Sequence, residues 1–582
     1  MRGALLVLAA FVLIACTTDA GIIAPIDTQT PVPLYLRMSE PDLDELYSRD
    51  VLSNVRLPGE FRLSLDAPWE PLRDPSIRFR GSSSRLLPKK SFSVRFADPQ
   101  PVAFDTTDLN LIAMYTDPSF MRAVIAFGAF RDLDLPASRT GYVDLSLNGV
   151  HEGLYVAVER VDEDVAAGPI SSRGERAAPE AFTLVRDEFR SSTEVGVSMF
   201  NHAWEHEPDP VAVLQQYLDR RGSPDWEAVL ELVQWVRATP AGAAYAEGFV
   251  DRIDVGAFVD WLAVHILIGD IDSFADDYWL YRDGDDPLAR WQFIPWDKDL
   301  TFGSHWVPVQ GTINDYFQYE FQPTAGWRNA LIDKFFETQA LHALLAERIG
   351  ELMDEVLTVG YFEERIAELA PRIAASVDRR PGENAFVRHP QNHFGALGHF
   401  EQHAESLLDF VELRYQFLRA HFSPVPAGAR RYVASIDTAT LGPGDVVYLT
   451  DPFGWTMARL ALTDVAPGVT SISLRVDQDD RLADVDRLWT FDVEGGTLRG
   501  HLTLYYRNLP SGNWYRTAHP PTPIGGQRHL SLATIDVAAD GLGDLTLVGS
   551  QANPYSNAVS TTAPIALVGR RALVLVDESA ER

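Results

Sequence analysis

Two stretches of opposite charge hold the residue types that could do chemistry. RFRGSSSRLLPKKSFSVR, from Arg78 to Arg95, carries six basic residues and no acid. GDIDSFADDYWLYRDGDDPLARWQFIPWDKDLTFG, far downstream, places aspartates at Asp270, Asp272, Asp276, Asp277, Asp297 and Asp299. The chain's formal net charge is -32, so a basic island is out of character. A cationic glycine/serine loop facing a carboxylate cluster suits a metal-bound polyphosphate. The cations and loop N–H groups hold the phosphates, and the carboxylates hold Mg²⁺. Arg80, Ser83 and Arg85 are the expected loop contacts.

Strand side chains alternate faces, so Lys90 shares a face with Phe92, Val94 and Phe96, while Lys89 points the other way with Arg95. A lysine at the mouth of an otherwise apolar strand face can reach phosphates in a cleft; a solvated strand end is the competing reading. Asp272 and Asp277 are five residues apart, the offset between the catalytic-loop aspartate and the metal-binding asparagine of protein kinases. In that reading the first accepts the substrate hydroxyl proton and the second ligates metal. Trp291 to Trp296, followed by Asp297-Lys298-Asp299, supplies a strand and turn for a further metal ligand. Asp276, Asp283, Asp285 and Asp286 read as turn residues. Asp297 and Asp299 sit between strongly apolar flanks, where unpaired carboxylates are costly.

The elements that must position these groups follow in order. Ile77 and Phe79 alternate with Arg78 and Arg80, and Phe92, Val94 and Phe96 alternate with Ser91, Ser93 and Arg95, so two strands flank the Gly81–Ser84 turn. Asp117-Pro118-Ser119 caps a helix through about Phe130. Tyr142 to Val161 reads as a hairpin with an Asn148-Gly149 turn. Helical periodicity begins near Pro208, pauses at the aspartate-rich loops, and resumes from about Leu331 to His421. Residues 430–582 show short alternating strands with Gly, Pro and Asn turns, and read as a separate β-sandwich. Trp455, Trp489, Trp514 and Tyr515 in that region could stack on sugars, although core packing is the commoner use of such residues.

The 582 residues are 46% apolar and 11% aromatic, ample for a buried core. The acidic balance argues against nucleic-acid binding. Met1-Arg2, an apolar run from Leu5 to Ile14, and Ala15 before Cys16 form a bacterial lipobox pattern, so residues 1–15 are expected to be a lipoprotein signal peptide. A plain signal peptide cut near Ala20 is the alternative. Acylated Cys16 would anchor the mature chain to the cell envelope, at the outer membrane where the source has one. Residues 16–32 read as a tether. Cys16 is the only cysteine, so no internal disulfide exists. His389, His393, His399 and His403 lack an HExxH context and read as loop and helix-surface residues, as do His202 and His206.

The chain resembles the CotH kinase family, named for spore-coat protein H, an atypical secreted protein kinase group. The matching pieces are IRFRGSSSRLLPKKSFSVRF, LNLIAMYTDPSFMRAVIAFGAF, VDLSLNGVHEGLYVAVERVD, GDIDSFADDYWLYRD, FIPWDKDLTFG and FVELRYQFLRAHF, across about residues 33–422. The resemblance implies an α+β, two-lobed kinase-like domain over 33–425, with a β-rich N-lobe and a helical C-lobe, ahead of an all-β sandwich over 430–582. It implies ATP and a divalent metal, Mg²⁺ with Mn²⁺ or Ca²⁺ as options, and phosphorylation of Ser, Thr or Tyr on a co-exported or surface protein. By position, Lys90 contacts phosphates with Lys89 as the alternate, and Glu159 lies near the nucleotide. Asp272 is the catalytic aspartate, and Asp297 ligates metal with Asp277 and Asp299. Position 277 is aspartate where the family usually has asparagine. The competing expectation is an inert surface lipoprotein that binds polysaccharide or a protein partner through its C-terminal β region.

Overall fold

The computed structural model describes residues 30–162, 165, 181–187, 189–190, 195–270, 277–303, 319, 329–378, 400–422, 433–437, 441–450, 456–478, 487–505, 530–538, 541–548, 550–553 and 558–577. The fold is mixed α+β, with ten helices among the described residues.

An eight-stranded sheet forms first. Its strands are β1 (Val32–Arg37), β2 (Glu60–Arg62), β3 (Glu70–Pro71), β4 (Arg78–Arg80), β5 (Ser91–Val102), β6 (Phe104–Ile112), β7 (Thr140–Leu147) and β8 (Val150–Glu159). The order is β3-β2-β1-β7-β8-β6-β5-β4; only β1 and β7 pair in parallel. Helix α1 (Glu40–Ser48) covers one face, with Leu43 and Leu46 packed against Leu34, Phe79, Phe92, Val94, Phe96 and Tyr155. The hairpin turn is as expected: Asn148 and Gly149 both have positive φ, the backbone that Asn-Gly accepts most readily.

The pleat of β7 and β8 serves two cores. Val143, Leu145, Tyr155 and Ala157 join the α1 side. Tyr142, Leu154, Val156 and Val158 pack with helix α2 (Arg122–Arg131) in the larger core. The start of α2 follows the anticipated capping residues: Asp117 accepts the Arg122 N–H at 2.9 Å, and Ser119 Oγ accepts the Met121 N–H at 3.2 Å.

A second sheet has the order β12-β9-β13-β14. It uses β9 (Phe182–Arg186), β12 (Arg220–Arg221), β13 (Tyr278–Asp283) and β14 (Gln292–Pro295), with β10 (Phe189–Arg190) and β11 (Val195–Val197) pairing apart. Around it lie α3 (Pro210–Tyr217), α4 (Trp226–Ala238), α5 (Ala243–Arg252) and α6 (Val255–Leu267). Asp209, Asp225 and Asp254 cap α3, α4 and α6, each accepting a backbone N–H three residues on. Then come α7 (Ala330–Glu337), α8 (Gln339–Glu351), α9 (Val359–Asp378) and α10 (Phe400–His421).

Beyond α10 the described strands join one ten-stranded hydrogen-bonded sheet. Its longest strand, Arg487–Tyr505, pairs with four others and shifts register between Val493 and Thr497, where Gly495 has φ +83°. The sheet packs on α10: Arg459 Nε lies 2.9 Å from Glu412 Oε2. Trp489 is in the core, 1% exposed, so it offers no sugar platform; Trp455, Trp514 and Tyr515 lie outside the described residues. His403 is buried on α10 rather than on the helix surface, because that helix is packed on several sides; His389, His393 and His399 lie outside the described residues. No described helix is long and apolar enough to cross a membrane. Cys16 and the residues around it also lie outside the described residues.

Candidate functional site

The turn after β14 is held from below by a buried charge pair. Lys298 Nζ lies 2.7 Å from Asp270 Oδ2, just past the end of α6, and both side chains are fully buried. The same ammonium donates to the Trp296 carbonyl at 2.5 Å. His265 faces that carboxylate at 3.6 Å, and its Nδ1 lies 2.7 Å from the Trp261 carbonyl. Burial and the Lys298 charge push the His265 pKa well down, so the ring is neutral and carries its hydrogen on Nδ1.

With Lys298 directed inward, its neighbours Asp297 and Asp299 open onto a cleft. Asp297 takes a left-handed backbone, φ +53°, which aspartate tolerates better than most residues. The segment before α2 supports the turn. Thr116 Oγ1 donates to Asp299 Oδ2 at 2.7 Å, and Arg122 Nε, on a guanidinium paired with Asp117, donates to the Thr301 carbonyl at 3.0 Å. From the far side, Arg414 on α10 donates to the Ile266 carbonyl at 2.9 Å and steadies the end of α6.

Strands β4 and β5 form the floor. Arg80 pairs with Ser91 and Arg78 with Ser93; across the next ladder Ser93 pairs with Asn110 and Arg95 with Asp108. Lys89, Ser91, Ser93 and Arg95 line the cleft, while Phe92, Val94 and Phe96 fill the core behind. The expected alternation holds, but it brings Lys89 to the cleft and not Lys90. Lys90 lies on the core face, where its ammonium donates to the carbonyls of Arg85 and Leu87 at 2.6 and 2.7 Å. Lys89 Nζ donates to the Leu154 carbonyl at 2.6 Å and lies 4.3 Å from the Tyr155 ring centre. Burial pushes its pKa down to about 7, against the opposing pull of Glu152 and Asp144. Gly81, φ +101°, makes the turn between the strands; a Cβ there would lie 2.0 Å from Ser84 Oγ.

The cleft encloses about 830 Å³, within the range of small-molecule sites. Among the described residues nine cationic side chains and five carboxylates line it, an inversion of the overall charge. Arg80 lies over Trp296, 5.5 Å from its ring centre. Burial holds the Arg80 pKa down at about 10, while Asp297 and Asp299 pull it up. Asp297 is open to the cleft yet walled in by protein. That enclosure, then Asp277, raises its pKa, with Arg186 and Arg80 opposing. Enclosure and the Asp297 charge push Asp299 up to about 7. Asp277 lines the same cleft and is ion-paired with Arg186 at the end of β9. Below it Asp187 accepts from Ser198 Oγ and the Met199 N–H, both at 2.6 Å, and from the Tyr278 hydroxyl, tying β9 to β13.

The structure thus brings together Arg80, Arg85, Lys89, Asp277, Asp297 and Asp299. The Arg85 guanidinium, however, turns to the carbonyls of Leu52 and Ser53 and to Asn54 Oδ1. Ser83 begins a short 3₁₀ turn, and its side chain lies outside the described residues. Glu159 is not part of the cleft lining. Its carboxylate accepts the Arg139 N–H and Nε, each at 2.9 Å, whereas the next residue, Arg160, faces the cleft. Its partner is therefore Arg139. Asp272 lies outside the described residues. Among the described residues no group of three His, Cys, Asp or Glu is spaced to hold a metal ion. Asp297 and Asp299 still form a hard, two-carboxylate oxygen pair in which the Asp297 charge raises the Asp299 pKa, a donor set that fits Mg²⁺ or Mn²⁺.

Sequence reasoning missed Arg56, Arg186, Arg221 and Thr116. Thr116-Asp117 lies between apolar flanks as WDKD does, and the same cost argument would have singled it out. No local pattern marks Arg186 or Arg221.

Residues 77–418 match the family described as CotH kinase protein. This chain belongs to the CotH family. It is also 24% identical over 405 residues to inner spore coat protein H of Bacillus subtilis (strain 168), a span covering 68% of this chain and 99% of that protein. The CotH match covers the described cleft lining apart from Asn54 and Arg56, together with Arg122 and Arg414.

Proposed function

We propose that this CotH-family chain is a two-lobed, kinase-like enzyme that uses ATP and a divalent metal to phosphorylate a protein at the cell envelope. The observation that carries the reading is the shared cleft. Arg80, Lys89 and the Asp297-Lys298-Asp299 turn, remote in sequence, meet at one space large enough for a nucleotide. Asp297 and Asp299 would hold Mg²⁺, which would neutralise charge building on the transferring phosphoryl group. Arg80 and Lys89 hold phosphate oxygens, and enclosure by protein strengthens both contacts. Transfer forms a bond between the acceptor hydroxyl oxygen and the γ-phosphorus and breaks the bond to ADP. Asp272, by its spacing from Asp277, takes the hydroxyl proton. The name of the Bacillus relative and the lipobox at Cys16 favour an exported, envelope-anchored protein.

The test is phosphate transfer from labelled ATP by the full mature chain, with Mg²⁺ or Mn²⁺ and its own envelope fraction as acceptor. Transfer abolished by Asp297→Asn supports the reading; transfer that survives both Asp297→Asn and Asp272→Ala removes the site assignment. One observation favours a second reading, an inert binding protein. Asp277, the expected metal ligand, is engaged by Arg186. Absence of any nucleotide-induced melting shift with either metal would select that reading.

A further inference from the structure

The cationic floor extends beyond the metal-facing end. The Arg80–Ser91 row lies nearest Asp297, the Arg78–Ser93–Asn110 row comes next, and the Arg95–Asp108 row follows. Each two-residue step along a strand is about 6.6 Å, so the three rows spread over roughly 13 Å. Arg56 enters the second row from a loop, donating to Ser93 Oγ at 2.9 Å and to the Ser76 carbonyl at 2.6 Å. Among the described residues no carboxylate lies within 4 Å of Arg56 or Arg78, and Asp108 is shared by Arg95 at 3.0 Å and Arg160 at 3.4 Å. Burial, then Arg95 and Arg78, holds the Arg56 pKa at about 10; Arg78 is depressed in the same way by burial and its arginine neighbours. These guanidiniums repel one another, and Asp108 offsets only part of that, which a bound anion would relieve further.

Charge balance points the same way. Among the described residues the cleft lining has four more cations than carboxylates, from nine against five, and the Asp272 carboxylate of the proposed function brings that excess to three. A Mg²⁺-bound nucleoside triphosphate carries about two net negative charges at neutral pH, so a positive excess remains. An uncharged base cannot offset it. We infer that Arg56, Arg78 and Arg95 form a second anion subsite that holds a phosphate monoester on the acceptor, so the preferred acceptor is a polypeptide already phosphorylated near the residue to be modified. A phosphate dianion offers a guanidinium fork two oxygens and carries twice the charge of a single carboxylate. Ser91 and Ser93 are buried on the floor, so the site is recessed, which suits an extended peptide better than a flat lipid surface. The inference rests on the nucleotide occupying the Arg80–Asp297 end.

The experiment measures binding to the full mature chain of a serine peptide, its monophosphoserine form, and separately a non-hydrolysable ATP analogue with Mg²⁺. The phosphopeptide should bind about tenfold more tightly than the plain peptide, with strong salt dependence. Arg78→Gln should remove that preference while leaving analogue affinity within about twofold, and Arg56→Lys, which keeps the charge, should retain most of it. Unchanged melting temperatures establish that the variants fold. Equal binding of the two peptides overturns the inference, as does an Arg78→Gln that weakens the analogue as much as the phosphopeptide. Binding seen only with phosphoinositide vesicles also overturns it. Loss of analogue binding with the peptide preference intact overturns the nucleotide reading and leaves the anion subsite standing.

Discussion

Lys298 and Asp270 meet 2.7 Å apart in a fully buried pair, and this contact sets which way the residues on either side of the lysine face. A side chain pinned inward at position 298 leaves positions 297 and 299 to the cleft. The pair is costly to desolvate and costlier to break. Lys298→Met should lower stability by about 3–5 kcal/mol, read from the urea midpoint, and Asp270→Asn added to it should recover part of the loss. Recovery identifies the stranded carboxylate as the source of the cost. Equal loss in single and double variants would contradict that.

Asp297 and Asp299 predict a pH signature. Both have folded pKa values above the unfolded value near 3.8, Asp299 at about 7. The native state therefore binds more protons than the unfolded one between about pH 4 and pH 7, and these groups lower stability as pH rises through that window. Asp299→Asn should flatten the decline in melting temperature over that window. Mg²⁺ or Mn²⁺ should raise the melting temperature of the parent chain at pH 7.5 and release protons on binding, with no shift in Asp297→Asn.

Lys89 and Lys90 are adjacent and should behave oppositely. Lys89→Met should weaken a Mg²⁺-bound ATP analogue by about tenfold or more, since it removes an enclosed cation from the cleft. Lys90→Met should leave that affinity within about twofold and instead lower the melting temperature, because its ammonium serves the Arg85 and Leu87 carbonyls. For Lys89 the folded pKa is depressed to about 7, so protonating it costs stability below its unfolded value near 10.5. Analogue affinity should therefore fall as pH rises above 7, and Lys89→Arg should abolish that fall. Isothermal titration across about pH 6.5–9 checks the affinities, and a thermal melt checks Lys90→Met.

Glu412 and Arg459 join α10 to the C-terminal sheet. Arg459→Met leaves the mostly buried Glu412 without its cation but with the Tyr448 hydroxyl, and because Arg459 is partly exposed the loss should be about 1–3 kcal/mol. Glu412 lies two residues from Arg414, which steadies α6. A single melting transition at reduced temperature is the expected result. Two separate transitions, with the first unchanged, would show that the sheet unfolds independently of the helices.

Local pattern determined the strands flanking Gly81, the Asn148-Gly149 hairpin, the aspartate caps and the run of helices, because each depends on neighbours within a few residues. Pattern also foresaw the opposed faces of Lys89 and Lys90. Which face met the cleft was decided by packing: Phe92, Val94 and Phe96 went to the α1 core, and Lys90 went with them. Asp297 and Asp299 were legible from their apolar flanks, but their support by Lys298–Asp270 and Thr116 was not. The Arg139 partner of Glu159, the Arg186 partner of Asp277 and the cationic row at Arg56 all join residues far apart in the chain. Such contacts depend on how sheets and helices stack in three dimensions, and no spacing along the sequence records that.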